Sequence, residues 1–420
     1  MKKSRIILTL ASLLLLLSIV LNLGGCMNSF ASDDLMKGVK ARSVTGKDSD
    51  DAFILAQTEL ALKLFKASAN ESKNENVLIS PLSILLALAM TANGADNETR
   101  AEMEALLGGD IPLEELNEYI YTYVNSLPSS EKAKLEIANS IWFKDSESFK
   151  ANKDFLQTNA DYYGAEIYKS AFDESTLNDI NSWVSKNTDG MIKKIYDEID
   201  PDSVMFLINA LVFDAEWEKK YTDKNTWERT FTSVTGEERT VEFMHSSEYK
   251  YIQGKNVNGF IKNYKGGKYS FVALLPDKNV SIYRYIESLS AESIAKLLDN
   301  VYSNEVEAAI PKFESDYSII LNDILSDLGM SSAFASGSAD FSKLGHSDVG
   351  NLFISEVVHK TFISVDENGT KAAAVTGSDV SCEDDSNTVT ITLDRPFVYM
   401  IIDNETNLPI FIGAVTDINN

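Results

Sequence analysis

The chain has 420 residues, 44% hydrophobic and 24% charged, the composition of a globular protein whose core is large enough to hold without covalent staples. Its formal charge of -25 repels phosphate backbones and anionic headgroups, which argues against nucleic acid as a partner. Length alone leaves open one large core or several average domains.

The first segment reads as a targeting signal rather than as part of the fold. Lys2, Lys3 and Arg5 precede a nearly unbroken apolar run from Ile6 to Leu23, and Leu23-Gly24-Gly25-Cys26 follows. Small residues before a cysteine resemble the lipobox of bacterial lipoproteins, which implies removal of residues 1–25 and acylation of Cys26. The mature chain is then expected to be exported and held at the cell envelope by a lipid anchor, extracellular or facing a periplasm. The run is also close to the roughly 17–20 residues that span a bilayer, so an uncleaved membrane helix is the alternative. With Cys26 lipidated, Cys382 is the remaining thiol and no internal disulfide can form. Residues 26–50 are polar and lack sustained periodicity, so a flexible tether is expected there.

From Asp51 to Asn420 the sequence has no repeat, low-complexity block or Pro/Gly-rich linker, which predicts one domain, 51–420, of mixed α+β type. Phe53, Ala56, Leu60 and Leu64 recur at helical spacing. Ser80-Pro81 supplies an N-cap and a first-turn proline for a helix over Leu82–Met90, which Asn93-Gly94 stops. Ala101–Leu107 predicts another helix, closed by Gly108-Gly109, and Ile319–Leu328 a further one before Gly329. Val204–Phe213 and Phe353–Val365 are apolar on both faces, as central strands covered on each side would be. Val389, Ile391 and Leu393 alternate with threonines, and FVYMII and PIFIGAV follow Pro396 as two more strands. The stretch Gly369–Ser386, GTKAAAVTGSDVSCEDDS, is therefore a long connection between core strands.

Catalytic and metal chemistry find little support. Gly345-His346-Ser347-Asp348-Val349 sets serine, histidine and aspartate side by side, but triad members ordinarily converge from distant parts of a chain. The three histidines, His245, His346 and His359, lack metal-ligand spacing, and no phosphate-cradling GxxxxGK[ST] occurs, so no cofactor or metal is implied. His359 lies in an apolar strand and is expected to be a core histidine satisfied by hydrogen bonds. Trp142, Trp183 and Trp217 read as core. Glu383, Asp384 and Asp385 disfavour the thiolate of Cys382.

A set of motifs in order along the chain resembles the serpins. They are Asn76–Ile84 (NVLISPLSI), Asn93-Gly94-Ala95, Ile180-Asn181 with Trp183-Val184, Ile199–Asp202, Asn209-Ala210, Trp217, Ile354–Val357, His359-Lys360 and Glu367–Thr370 (ENGT). The resemblance implies three β-sheets, eight or nine helices and an exposed reactive-centre loop at about residues 367–390. It implies a monomer with a metastable native state. A serine or cysteine endopeptidase cleaves the loop and is trapped as a covalent acyl-enzyme, so the protein is a suicide substrate and not an enzyme. By the same resemblance Gly369, Thr370, Ala372, Ala373 and Ala374 form the hinge. Ser80, Ser83, Asn209 and His359 form a shutter beneath the opening sheet, and Trp217 lies where insertion begins. A serpin that only binds a ligand or partner is the alternative. Lys371 stands where the family usually has glutamate.

The loop residues carry a pattern of their own. Thr370, Ala372, Ala374, Thr376, Ser378, Val380 and Cys382 are small or uncharged and share one parity, whereas Lys371, Asp379 and Glu383 fall in the other, so a strand in this register buries no charge. No lysine or arginine occurs between Ala372 and Asp394, which leaves a trypsin-like protease nothing to grip. Counting from the hinge puts the scissile bond at Glu383-Asp384, and counting back from Pro396 puts it at Asp385-Ser386. Cleavage after Val380 by an elastase-like enzyme, or near Cys382, is the alternative. Oxidation of Cys382 would add a charge to the inward set.

Overall fold

The computed structural model describes residues 30–127, 133–145, 149–347, 351–370 and 388–418. The apolar leader, Cys26, Ala372, Ala373, Ala374, Cys382 and both candidate scissile bonds, Glu383-Asp384 and Asp385-Ser386, lie outside the described residues. No helix among the described residues is long and apolar enough to cross a membrane.

Nine α-helices occur among the described residues: α1 (Asp51–Glu71), α2 (Pro81–Ala92), α3 (Asn97–Gly108), α4 (Leu113–Ser126), α5 (Lys153–Tyr162), α6 (Glu174–Asn187), α7 (Ile282–Ser288), α8 (Ala291–Asp299) and α9 (Asn322–Asp327). The first large sheet runs in the order β1 (Asp33–Asp34), β5 (Glu166–Ser170), β3 (Ala133–Lys144), β6 (Met205–Glu216), β17 (Gly369–Thr370), β16 (Glu356–Val365), β14 (Phe313–Ile320). The second runs β12 (Val301–Tyr302), β9 (Tyr251–Gly254), β10 (Val257–Asn263), β11 (Tyr269–Pro276), β19 (Phe397–Asp403), β20 (Pro409–Val415), β2 (Val77–Ile79). The third runs β18 (Val389–Thr392), β13 (Val306–Pro311), β8 (Glu238–Glu248), β7 (Thr226–Thr232), and a small ribbon pairs β15 (Gly345–His346) with β4 (Lys150–Ala151).

The period-2 pattern of β6 explains how the first sheet is sandwiched. Leu207, Leu211, Phe213 and Ala215 enter the main core, whereas Phe206, Ile208 and Ala210 pack with Trp142, Trp183 and Val184 in a second core under α6. Helix α2 is buried along its whole length, and Ser80 caps it by accepting from the Ser83 N–H at 3.4 Å. Two expected elements shift. Strand β16 begins at Glu356, not Phe353, and Lys360, Phe362 and Ser364 on its outer side are only half-buried. Helix α9 begins at Asn322, because Ile319 and Ile320 continue the inward-outward alternation of β14.

The flexible tether expected over residues 26–50 is corrected for residues 30–50, which dock along the domain. Asp33 and Asp34 pair with Lys169 and Tyr168 of β5. Ser32 donates its N–H and hydroxyl to Asp179 at 2.8 and 2.7 Å, and the Phe30 ring meets Tyr168 edge-on at 5.7 Å. Arg42 gives Asp161 three hydrogen bonds, from its backbone N–H, Nε and Nη2, at 2.7, 2.9 and 2.7 Å. The polar composition of the segment is thus answered by carboxylates far along the chain. Asp161→Ala removes the Arg42 anchor and lets that exposed guanidinium return to water. Amide exchange over residues 30–50 should then accelerate at least tenfold. Unchanged exchange would show that the carboxylate does not hold the segment.

Candidate functional site

The site lies where β6 and β16 part. Over Phe206–Leu211 and Glu356–Thr361 the two strands pair directly and in parallel. Further along, the two-residue strand β17 stands between them and antiparallel to both, with Thr370 opposite Ala215 on one side and Val365 on the other. Gly369 is required here by close approach, since a Cβ on it would lie 2.0 Å from the Ala215 carbonyl oxygen.

Thr370 is fully buried and its hydroxyl lies 2.5 Å from that of Tyr264. Tyr264 stacks on Trp217 with ring centroids 4.5 Å apart. Trp217 holds the turn before the hinge, donating from Nε1 to the Asp366 carbonyl and from its backbone N–H to the Asn368 carbonyl, each at 2.8 Å. Within that turn the Asp366 carboxylate accepts from the N–H groups of Asn368 and Gly369 at 2.7 and 3.2 Å. Burial lifts its pKa above the usual carboxylate range, against those hydrogen bonds. Lys312 pairs with Glu367 beside the turn and with Glu242 at 2.7 Å. Beneath Trp217 lies Lys262, whose side chain is 2% exposed; its ammonium meets Glu248 at 2.7 Å and sits 4.4 Å from the Tyr221 ring centre.

A second cluster sits where β6 and β16 pair directly. Asn209 and His359 are register partners, and His359 Nδ1 lies 2.7 Å from Asn209 Oδ1. The Ser80 N–H donates to His359 Nε2 at 3.1 Å, which assigns the proton to Nδ1. The Asn209 amide then donates to Asn139 Oδ1 at 2.6 Å and to the Ser83 carbonyl. Ser80, Ser83 and His359 are fully buried and Asn209 nearly so. Burial pushes the His359 pKa down to about 3, so the ring is neutral.

The structure therefore gathers Gly369, Thr370 and Trp217 in one cluster and Ser80, Ser83, Asn209 and His359 in another, both on the same pair of strands. The sequence pattern missed Tyr264, Asp366 and Lys262. Lys262 had a signal: it shares its strand parity with Phe260 and Tyr264, a cation on an apolar face. The three histidines are distributed over different sheets, His245 in β8, His346 in β15 and His359 in β16. Among the described residues no three His, Cys, Asp or Glu side chains form a group that could hold a metal ion.

Residues 55–418 match the model of the Serpin (serine protease inhibitor) family. This chain belongs to the serpin family. It is 30% identical to Serpin B10 of Bos taurus over 390 residues, covering 84% of this chain and 96% of that one. It is also 30% identical to an uncharacterized serpin-like protein of Methanosarcina acetivorans over 378 residues, covering 88% and 87%. In structure it is similar to the thermophilic serpin tengpin in its native state, at 53% identity, with a TM-score of 0.89 and coverage of 92% of this chain and 100% of that one. Against tengpin in its latent state the TM-score is 0.80, at 52% identity, with coverage of 89% and 100%. The chain thus matches the native-state structure of tengpin more closely than the latent-state one. Serpins are generally protease inhibitors rather than catalysts, and a protease-inhibitor type of function goes with the family.

Proposed function

We propose that this serpin is an inhibitor of the trapping kind, acting as a monomer on a serine or cysteine endopeptidase that cuts after an acidic residue. The observation that carries the reading is Thr370, buried as a first rung between β6 and β16 in the register that the small residues of the loop require. The protease nucleophile attacks the carbonyl carbon at the scissile bond, the C–N bond breaks as the new amino terminus leaves with the nucleophile's proton, and an ester (serine enzyme) or thioester (cysteine enzyme) joins loop to enzyme. The freed residues then extend β17 towards the directly paired part of β6 and β16. About 15 residues at roughly 3.3 Å each make a strand near 50 Å, which carries the attached protease along the domain. Successive added residues gain backbone hydrogen bonds alternately to the strand on either side, and the small inward set meets the core. In this scheme Asn209 and His359 hold shut the strands that must separate, and Trp217 and Tyr264 receive the first inward side chain.

The test is incubation with a panel of endopeptidases that differ in cleavage preference. A complex that survives denaturation is expected with one that cuts after Glu or Asp, releasing a C-terminal peptide that begins at Asp384 or Ser386. A peptide beginning at Ser381 would replace the acidic assignment with cleavage after Val380. If every member of the panel either ignores the chain or cuts it without a stable complex, the binding-only serpin takes over.

The reading includes an anchor at Cys26, on the grounds of the basic, apolar and small-residue order before it. Labelled palmitate should enter the wild-type protein and not Cys26→Ser, which should appear in the soluble fraction. Label retained by the variant removes the anchor from the scheme.

A further inference from the structure

Away from the hinge, the turn of the β9–β10 hairpin faces α7, α8 and the strand β12 across a cleft of about 630 Å³. That volume falls within the roughly 300–1,000 Å³ of small-molecule sites. The sequence makes the cleft in a simple way. Asn256 takes a positive φ of 62° to turn the hairpin, and Gly254 brings bare backbone against Leu297, whose Cδ2 would lie 2.5 Å from a Cβ placed there. Helices α7 and α8 are joined by a short corner at Leu289 and Ser290, and both contribute residues to the cleft.

Two features of the lining point to a ligand. Its charged residues are Lys255 and Lys296, with no aspartate or glutamate, in a chain whose formal charge is -25. Both lysines are exposed, and neither enters an ion pair among the described residues. Three of the neutral polar groups are spent within the protein: Ser288 Oγ donates to the Tyr285 carbonyl at 2.7 Å, Ser293 Oγ to the Ser290 carbonyl at 2.8 Å, and Asn300 Nδ2 to the Lys296 carbonyl at 2.8 Å. The two lysines are the cationic groups of the lining, beside the side-chain amides of Gln253 and Asn256. The second feature is Tyr285, a lining residue only 3% exposed, whose buried hydroxyl has no hydrogen-bond partner. Desolvation raises its pKa, so the hydroxyl stays neutral beside the cleft. Val257, Leu289, Leu297 and the ring of Tyr302 supply apolar surface between these groups.

We propose that this cleft binds a small amphipathic organic anion, with its apolar body against Leu289, Leu297 and Tyr302 and its carboxylate, sulfonate or phosphate at Lys255 and Lys296. The inference does not depend on the inhibitory reading: the site shares no residue with the hinge or the Asn209–His359 pair, and the chain can hold such a ligand whether or not it traps a protease.

The probe is 1-anilinonaphthalene-8-sulfonate, titrated by fluorescence into the folded full chain, beside N-phenyl-1-naphthylamine, which has the same rings and no charge. Wild type should bind the sulfonate at least tenfold more tightly than the neutral compound. The double variant Lys255→Glu with Lys296→Glu, at two exposed positions where folding is little affected, should lose that preference, with sulfonate affinity down tenfold or more. Lys186→Glu with Lys193→Glu makes the same charge change on exposed residues elsewhere and should leave affinity as in wild type. Any apolar binding to the leader is common to all the proteins and cancels in the comparison. Equal affinity of the Lys255/Lys296 variant and wild type overturns the proposal, as does an equal loss in the Lys186/Lys193 variant or the absence of a charge preference in wild type.

Discussion

Thr370→Arg should convert this serpin from inhibitor to substrate, cut at its normal bond with no denaturation-resistant complex. Thr370 is the residue at which the loop has already entered the sheet, with Ala215 and Val365 beside it and the Tyr264 hydroxyl 2.5 Å away. An arginine there has no carboxylate to meet. Keeping β17 in place would bury an unpaired cation, which costs several kcal/mol, about the whole difference between a fast and an arrested step. The chain therefore relieves the cost by lifting β17 out of the sheet, and insertion loses its first rung. The scissile region is more than ten residues on and keeps its sequence, so the protease still binds and cuts. The stoichiometry of inhibition should rise more than tenfold, and cleavage should bring no large gain in thermal stability. Thr370→Ser, which keeps the hydroxyl for Tyr264, and Lys371→Arg, which keeps the charge in the outward parity, should both inhibit as wild type does. A full yield of stable complex from Thr370→Arg would mean that the chain stops its target without strand insertion.

Much of this arrangement was legible because it rests on local rules. Ser80-Pro81 announced the start of α2 through a capping side chain and a residue with no N–H to lose, and the cap is present. The alternation of VMFLINALVF showed which residues of β6 would share a face, and the two faces now supply two separate cores. His359 in an apolar strand could be expected to carry hydrogen bonds, but its partners could not be deduced from spacing. Ser80 and Asn209 are 279 and 150 residues away. The same limit hid the docking of residues 30–50. A polar, aperiodic segment is indistinguishable from a free tether until Asp161 and Asp179 are known to lie beneath it, 119 and 147 residues on. The start of α9 was missed for a different reason: Ile319 and Ile320 satisfy both a helical and a strand period, and pairing with β16 decides for the strand.

Replacing His359 should reveal a pH dependence with a definite sign. The neutral ring donates from Nδ1 to Asn209 and accepts at Nε2 from the Ser80 N–H, so a second proton would set Nε2–H against another donor inside the core. That conflict, with burial, explains a native pKa depressed to about 3 from the ordinary value of 6.5. Between those values the unfolded chain binds a proton that the native chain refuses. The stabilising contribution is complete above pH 6.5 and declines as pH falls towards 3, by about 1.4 kcal/mol for each pH unit well inside the window. His245, depressed to about 4 by burial first and by Arg229 second, adds a similar slope and must be held constant. The comparison is therefore wild type against His359→Phe in denaturant unfolding from pH 8 to pH 4.5. At pH 8 the variant should be less stable by about 2–4 kcal/mol, because Ser80 N–H and Asn209 Oδ1 are left buried without partners. Towards pH 4.5 the gap should close, since only wild type loses stability through this ring. Because the Asn209–His359 bond joins the two strands that the proposed insertion would have to part, the variant should also lose its native state faster on storage at pH 8, read as a rising fraction resistant to heat. Parallel stability curves across the pH range would mean that His359 is not the titrating element, and an unchanged rate of native-state loss would mean that its bond to Asn209 does not hold the strands together.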